Sequence, residues 1–365
     1  MDAVRVGFDT GPLHGQRTGI GLAVEALHDS LSHRDDVQIR DYLLSFRARP
    51  GHDVRRLPLP AALAHRCWAR SDRPSIDRWL RDVDVVHGTN YVVPPRARAP
   101  RVVSVYDCWF LRHEHRASAA VVRAGRVLRR SIDGGAVVHA SSQATASAVA
   151  ELFPGVDVRT VHLGALPVAP PPLRCPVPEL DGRPFVVAIG TIERRKNLPR
   201  LVRAFGSIAG EHPDLQLVIA GADGDDRPSV DAAVDALGPR SAPRVAFTGR
   251  IDDATRSWLL HHARVLAYPS LDEGFGFPLL DAMQVALPVV AACAGSIPEV
   301  AGDAALLHDP TDVDGLAAAL HRALTDEQER QRLVTAGARW QQFDWAACAA
   351  GLVAIYCELA GSPRR

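Results

Sequence analysis

The sequence predicts an α/β fold of two doubly wound parallel-sheet (Rossmann-like) domains facing across a cleft. Three observations carry this prediction. Short apolar runs alternate with amphipathic stretches along both halves of the chain, the pattern of strands covered by helices. A proline-rich segment at residues 167–183 separates the halves. The loops rich in glycine and charge lie directly after apolar runs, and open parallel sheets hold ligands at the carboxyl ends of their strands. With 365 residues, 47% of them hydrophobic, the chain has material for two cores of ordinary size.

In the first half, residues 1–166, Val4–Phe8 reads as the first buried strand. Gly11–Gly21 reads as a glycine-rich loop, with Gly19-Ile20-Gly21 preceding an amphipathic stretch, Leu22–Leu31. Val83–His87 and Arg101–Tyr106 are the next strands, the first followed by the loop Gly88–Pro95 and the second ending at Asp107. Ala136–Ala140 is a strand that leads into Ser141-Ser142-Gln143-Ala144-Thr145, a polar helix start, and the helix ends near Leu152. Val158–Leu163 closes this half. The prolines of residues 167–183 lack N–H donors and fix φ, so the segment fits neither a helix interior nor a central strand and reads as a linker.

The second half, residues 184–342, repeats the alternation. Phe185–Ile189 is a strand, Gly190–Asn197 a loop, and a helix follows through Phe205. Leu215–Ala220, Arg244–Phe247, Ala263–Tyr268 and Pro288–Ala292 are further strands. The last amphipathic stretch, Trp345–Leu359, follows Phe343-Asp344.

Composition excludes several classes. Forty-two basic residues balance 42 acidic ones, which argues against a general nucleic-acid binder. Cys67, Cys108, Cys175, Cys293, Cys348 and Cys357 are scattered, without the paired spacing of a zinc site or a disulfide framework. The opening MDAVRVGFDTGP has no apolar signal core, and no uncharged run approaches the ~18–20 residues of a membrane span. A cytoplasmic protein is expected, with peripheral contact to a membrane face through basic patches such as Arg123, Arg126, Arg129 and Arg130. Lys196 is the only lysine in an arginine-rich chain, which marks a position where a compact ammonium is wanted rather than a planar guanidinium.

Two segments carry chemistry. Gly190-Thr191-Ile192-Glu193-Arg194-Arg195-Lys196-Asn197 lies between a strand and a helix, and its adjacent cations suit a diphosphate. A solvated basic turn is the plainer alternative. Asp272-Glu273-Gly274-Phe275-Gly276-Phe277-Pro278-Leu279-Leu280-Asp281 places two carboxylates around glycines that let a ligand approach the backbone closely. Pro278 fits the first position of a helix, which would put Asp281 in its first turn, where the helix dipole stabilises a carboxylate. Such acids accept strong charge-assisted hydrogen bonds from sugar or ribose hydroxyls.

EGFGFPLLDAMQVALPVVA resembles the E-x7-E signature of glycosyltransferase family 4, retaining enzymes of the GT-B fold. GTIERRKNLPRLVRAF resembles the phosphate-binding segment of that family, with weaker matches at DVVHGTNYVVPP, VVSVYDCWFLRHEH and ASSQATASAVAE. The resemblance spans essentially the whole chain, including the closing FDW and helix, which implies that residues 343–365 return to the N-terminal domain. It implies that Arg195 and Lys196 bind the donor diphosphate, assisted by Thr191, Glu193 and Asn197. Glu273 would contact the transferred sugar beside Gly274, Phe275, Gly276 and Phe277. Asp281 would contact the ribose, the loop at Arg250 and Ile251 would frame the base, and Gly19 and Gly21 would face the diphosphate. His87, Thr89, Asn90 and Asp107 would lie on the sugar and acceptor side.

The implied donor is a nucleotide-diphosphate sugar, with GDP-mannose favoured because the pattern resembles bacterial mannosyl- and rhamnosyl-transferases. The implied acceptor is a glycan or glycolipid, and neither a metal nor another cofactor is expected. Asp223-Gly224-Asp225-Asp226 reads as a surface turn rather than a metal-binding D-x-D motif. Two positions depart from the family: Asp281 stands where glutamate is usual, and Tyr106 precedes Asp107 where many relatives have histidine. A nucleotide-sugar epimerase and a non-catalytic sugar-nucleotide-binding subunit of a polysaccharide assembly complex are the alternatives.

Overall fold

The computed structural model describes residues 3–14, 18–45, 54–57, 59–95, 97–180 and 182–361. The chain divides into two units, Met1–Gly164 with Phe343–Arg365, and Ala165–Gln342.

In the first unit, apolar runs buried on both faces form the middle of a parallel sheet. In chain order it comprises β1 (Val4–Asp9), α1 (Gly19–Ser32), β2 (Val37–Leu44), β3 (Arg55–Leu57), α2 (Ala61–Trp68), β4 (Val85–Gly88) and β5 (Arg101–Val105). There follow α3 (Trp109–Arg112), α4 (Ala119–Asp133), β6 (Val137–Ala140), α5 (Gln143–Leu152) and β7 (Val158–Thr160). The strand order is β3-β2-β1-β4-β5-β6-β7, so the winding direction reverses between β1 and β4. Val86, Val103, Val105 and Val138 pack with Trp68 and Leu128 of the covering helices. Ser142 caps α5 by accepting from Thr145 N at 3.0 Å, the polar start expected of that helix.

The expected glycine loop before the first helix is shorter than its sequence implies. Gly19 and Gly21 already form the first turn of α1, whose N-cap Thr18 accepts from Gly21 N at 3.2 Å. A Cβ on Gly21 would lie 3.1 Å from the carbonyl of Pro12, so a glycine lets the chain pass close by there. Residues 15–17 of that loop lie outside the described residues.

The second unit contains β8 (Phe185–Ile189), α6 (Leu198–Ile208), β9 (Gln216–Ala220), α7 (Arg227–Asp235), β10 (Val245–Gly249), α8 (Asp253–His262) and β11 (Val265–Tyr268). It continues with α9 (Phe277–Gln284), β12 (Val289–Ala292), α10 (Ile297–Ala301), β13 (Ala305–His308), α11 (Val313–Thr325) and α12 (Glu327–Ala336). The strand order is β10-β9-β8-β11-β12-β13, again parallel, with the reversal between β8 and β11. Val186, Leu217, Ile219, Val265 and Val290 meet Leu201, Phe205, Leu316 and Leu320 in its core.

The final helix, α13 (Trp345–Gly361), belongs to the first unit and packs on α1. Ser30 Oγ donates to the carbonyl of Trp345 at 3.0 Å. A Cβ on Gly164 would fall 2.4 Å from the Trp345 ring, so only glycine admits the indole. The basic patch foreseen at Arg123, Arg126, Arg129 and Arg130 falls on α4 and is partly committed within this unit. Arg130 pairs with Asp72 at 2.7 Å and Arg129 lies over the Phe153 ring at 4.7 Å, while Arg126 is exposed.

Candidate active site

At the winding reversal of the second unit, β8 and β11 are neighbours, pairing Val265 with Val186 and Leu266 with Val187. Their carboxyl-end loops therefore emerge side by side, the arrangement that creates a ligand crevice in an open parallel sheet. A short 3-10 turn, Arg194–Lys196, delivers two cations from β8, and the loop after β11 delivers Glu273. Lys196 Nζ donates to Glu273 Oε1 at 2.6 Å and to Tyr268 Oη at 3.2 Å, and sits 4.8 Å from the Tyr268 ring centre. Arg195 Nη1 donates to Glu273 Oε2 at 2.5 Å and to the Asp272 carbonyl at 3.1 Å. The side chains of Arg195, Lys196 and Glu273 are 17%, 13% and 6% exposed.

Backbone conformation makes room for this cluster. Gly190 has φ of 144°, and a Cβ there would lie 3.2 Å from Lys196 Cε. Gly295, at φ of 53°, lets its loop press against the backbone of Glu273, and Ser296 N donates to the Glu273 carbonyl at 2.9 Å. The carboxylate is held from both sides, by its side chain and by its own backbone.

Burial pushes the Glu273 carboxyl up, but Lys196 and Arg195 outweigh it and hold the group down at about 2. Burial draws the Lys196 ammonium below its ordinary value, Glu273 opposes that, and Arg195 adds to it. Two cations thus share one carboxylate in a site with little solvent. Glu193, 3.8 Å from Arg195 and 44% exposed, is the only other carboxylate paired with them among the described residues, so the buried part of the cluster carries two cations to one carboxylate and is receptive to an anion.

The neighbouring residues divide by task. Asn197 adopts a left-handed conformation (φ 57°); its amide donates to the carbonyls of Pro269 at 2.9 Å and Pro310 at 2.8 Å, and its oxygen accepts from Arg200 at 2.6 Å. Its side chain fixes the entry to α6 and offers no spare donor, which corrects the donor-contact role expected for it. Thr191 and Glu193 stay half-buried in the same loop, with Glu193 3.8 Å from Arg195 Nη2. Gly276 has φ of 96°, and Phe275 and Phe277 meet edge to face with ring centres 5.4 Å apart. Gly274 lies with them in the loop entering α9.

The position expected for Asp281 is also corrected. The helix α9 starts at Phe277, one residue before Pro278, so Asp281 falls in the second turn and faces inward at 3% exposure. Its Oδ2 accepts from Arg256 Nη1. Burial raises its carboxyl to about 6 against the lowering by Arg256. Arg250 and Ile251 follow Gly249 (φ 66°) at the carboxyl end of β10, with Arg250 exposed.

In the first unit the expected acceptor-side residues separate. His87 is fully buried: Nδ1 contacts Tyr356 Oη at 2.6 Å and Nε2 contacts Ser104 Oγ at 2.8 Å. Ser104 continues to His139 Nδ1 at 2.8 Å, and His139 Nε2 to the Val161 carbonyl at 3.0 Å. Thr89 is buried as well, donating to the Asp9 carbonyl at 2.7 Å and accepting at its own carbonyl from Tyr106 at 2.8 Å. His87 and Thr89 therefore hold the sheet together instead of facing a ligand. Tyr106 does likewise, and burial raises its phenol. Asn90 and Asp107 remain half-buried at the carboxyl ends of β4 and β5; Asp107 Oδ1 accepts from Trp109 N at 3.1 Å.

Three residues escaped the sequence reading. Tyr268 beneath Lys196 ends a foreseen strand, and its place before Pro269-Ser270 was a usable signal. Arg256 had none, being one arginine among many. Asp9 ends β1 beside the winding reversal, with its carboxyl raised to about 6 by burial against the Gly11 N–H.

The two doubly wound sheets and the charged switch-point cluster define a GT-B glycosyltransferase. Residues 174–340 match the family described as Glycosyl transferases group 1. The O-antigen chain mannosyltransferase B of Escherichia coli is 30% identical over 300 residues, which are 78% of this chain and 77% of that one. The phosphatidyl-myo-inositol mannosyltransferase of Mycolicibacterium smegmatis is 33% identical over 194 residues, 51% of this chain and 49% of that one. Sucrose-phosphate synthase from Thermosynechococcus elongatus shares the fold with a TM-score of 0.76 at 19% identity, over 98% of this chain and 99% of that one. Anabaena HepE, solved with UDP and glucose, does so at 0.71 and 18%, over 97% and 100%. The chain belongs to the group 1 glycosyltransferases, as its resemblance to family 4 implied, and it is an enzyme of the mannosyltransferase type.

Proposed function

We propose that this glycosyltransferase moves a hexose, with mannose favoured, from a nucleotide-diphosphate sugar to a hydroxyl of a glycan or glycolipid, with retention at the anomeric carbon and without a metal. The observation that carries the reading is the buried cluster in which Arg195 and Lys196 share one carboxylate. A diphosphate entering there competes with Glu273 and the more exposed Glu193 for the two cations. As the bond from the anomeric carbon to the diphosphate oxygen breaks, charge grows on that oxygen, and two preorganised cations stabilise it. This is the charge work a metal performs in other transferases.

Once the cations turn to phosphate, Glu273 has oxygens to offer the sugar hydroxyls. The acceptor hydroxyl attacks the anomeric carbon from the face the leaving group departs, and its proton passes to a phosphate oxygen of the nucleoside diphosphate. The names of the two curated relatives, both mannosyltransferases, support mannose, and GDP-mannose is the donor proposed. A cytoplasmic location, with membrane contact through the α4 face bearing Arg123 and Arg126, completes the reading.

A thermal-shift panel of GDP, UDP, ADP and dTDP tests the donor site. A ligand at 100 times its Kd stabilises the protein by about 2.7 kcal/mol. GDP is expected to give the largest shift, and GDP-mannose is expected to turn over in EDTA. No shift with any of the four removes the reading.

A further inference from the structure

Asp281 presents an unusual half-satisfied acid. Its Oδ2 accepts from Arg256, while its Oδ1 is buried and has no hydrogen-bond partner among the described residues. A buried carboxylate oxygen without a donor is costly, and in native proteins a donor is supplied to such an oxygen by an ordered water, an ion or a ligand. Arg256 stands on the first turns of α8, which follows the Arg250-Ile251 loop at the end of β10. Its side chain is 19% exposed, and its Nε lies 3.8 Å from Asp253. An aspartate is one methylene shorter than the glutamate usual at this place in the signature, so its reach depends more on what anchors it.

From this arrangement we infer that Arg256 is a positioning residue: it holds one oxygen of Asp281 so that the other is presented to a ribose hydroxyl of the nucleotide. The inference rests on the proposed donor site. Arg256 supplies what the lost methylene removed, a fixed direction for the acceptor oxygen. It also favours the charged form of Asp281, the stronger acceptor. Arg256 has no part in the diphosphate grip, which lies at the ends of β8 and β11. Its loss should therefore be felt by the ribose and not by the phosphates.

The test uses the full chain and whichever nucleoside diphosphate of the thermal-shift panel binds most tightly, compared by calorimetry with its 2′,3′-dideoxy counterpart. The wild-type protein is expected to prefer the natural nucleotide by about tenfold, the scale of one charge-assisted hydrogen bond. Arg256→Met is expected to bring that preference within about twofold while leaving the affinity for the dideoxy compound unchanged. Arg256→Lys is expected to restore part of the preference. Asp281→Asn, which keeps the shape of the side chain, is expected to lose it and carries the test if Arg256→Met fails to fold.

A general structural role for Arg256 would weaken both ligands equally, and that result overturns the inference. So does an unchanged tenfold preference in Arg256→Met, or in Asp281→Asn where that variant carries the test. A wild-type protein that binds diphosphates without preferring the ribose hydroxyls overturns the inference and leaves the diphosphate grip standing. One that binds no nucleotide at all removes both.

Discussion

Each unit buries a polar cluster in its parallel sheet, and the two clusters are built on opposite principles. The histidine chain of the first unit is closed. His139 Nε2 faces a backbone carbonyl, which can only accept, so that nitrogen carries the proton. Nδ1 of His139 must then accept from the Ser104 hydroxyl, Ser104 must accept from His87 Nε2–H, and His87 Nδ1 must accept from the Tyr356 hydroxyl. Every donor of this chain meets one acceptor, both rings are neutral, and neither ring has a nitrogen left for a ligand. The cluster of the second unit is open. Its two cations share one buried carboxylate, and Asp281 has an oxygen without a donor among the described residues. A closed network joins secondary structure, here α13 to β4, β5 and β6, whereas an open one leaves polar groups to spare, which under the proposed function the substrate engages.

The contrast breaks most sharply at Lys196. Lys196→Ala should lower kcat/KM by about 10²–10³, the scale for losing one preorganised donor to a developing charge, with little change in melting temperature. Near-normal turnover in a transfer assay would put Lys196 on the structural side of the divide. Glu273→Gln should act on both properties. It leaves Lys196 and Arg195 without their buried counter-charge, with only the more exposed Glu193 3.8 Å from Arg195, so the free protein should lose about 3 kcal/mol in denaturant unfolding. A bound diphosphate should restore much of that, giving the variant a larger thermal shift than the wild type. His87→Leu should do the reverse of Lys196→Ala. The hydroxyl of Tyr356 loses its acceptor and Ser104 loses one donor, a cost of about 2 kcal/mol in stability, with nucleotide affinity unchanged. A weakened nucleotide would show that the chain in the first unit serves the donor site after all.

The same contrast explains what could be read in advance. The open cluster was legible because its chemistry lies in contiguous segments: Arg195-Lys196 and Glu273–Asp281 each follow an apolar strand, and the single lysine stands out against arginines. The fold was legible where strands are uniformly apolar, as at Phe185–Ile189. β2 was missed because VQIRDYLL mixes charge into a strand nearer the sheet edge, and β3 because it has only three residues. The closed chain was invisible because its members come from four elements up to 269 positions apart. His87 was placed on the acceptor side for the same reason. At the end of a strand, a histidine facing the core and one facing a ligand look alike. Asp281 was placed in the first turn because Pro278 was read as the first helical residue, whereas the helix starts at Phe277.

The smallest effect, and the one that separates the clusters without mutation, is their response to acid. Burial draws His87 well below the ordinary histidine value, with His139 adding to it, and draws His139 down to about 4. Unfolded, both rings take protons near pH 6.5. Between there and about 4 the unfolded chain binds protons that the folded one refuses, so stability is fully present above about 6.5 and declines as pH falls. The slope is at most about 1.4 kcal/mol per pH unit for each histidine. A proton on either ring would turn a hydroxyl, that of Tyr356 or of Ser104, from donor to acceptor, and that hydroxyl's own hydrogen would lose its partner within the chain. Glu273, held at about 2, keeps its charge throughout this window. Denaturant unfolding of the first unit between pH 7 and 4.5 should therefore show a falling midpoint that His87→Leu reduces. A midpoint independent of pH across that range would mean that the two rings are not held neutral, and the distinction between a closed and an open cluster would fail.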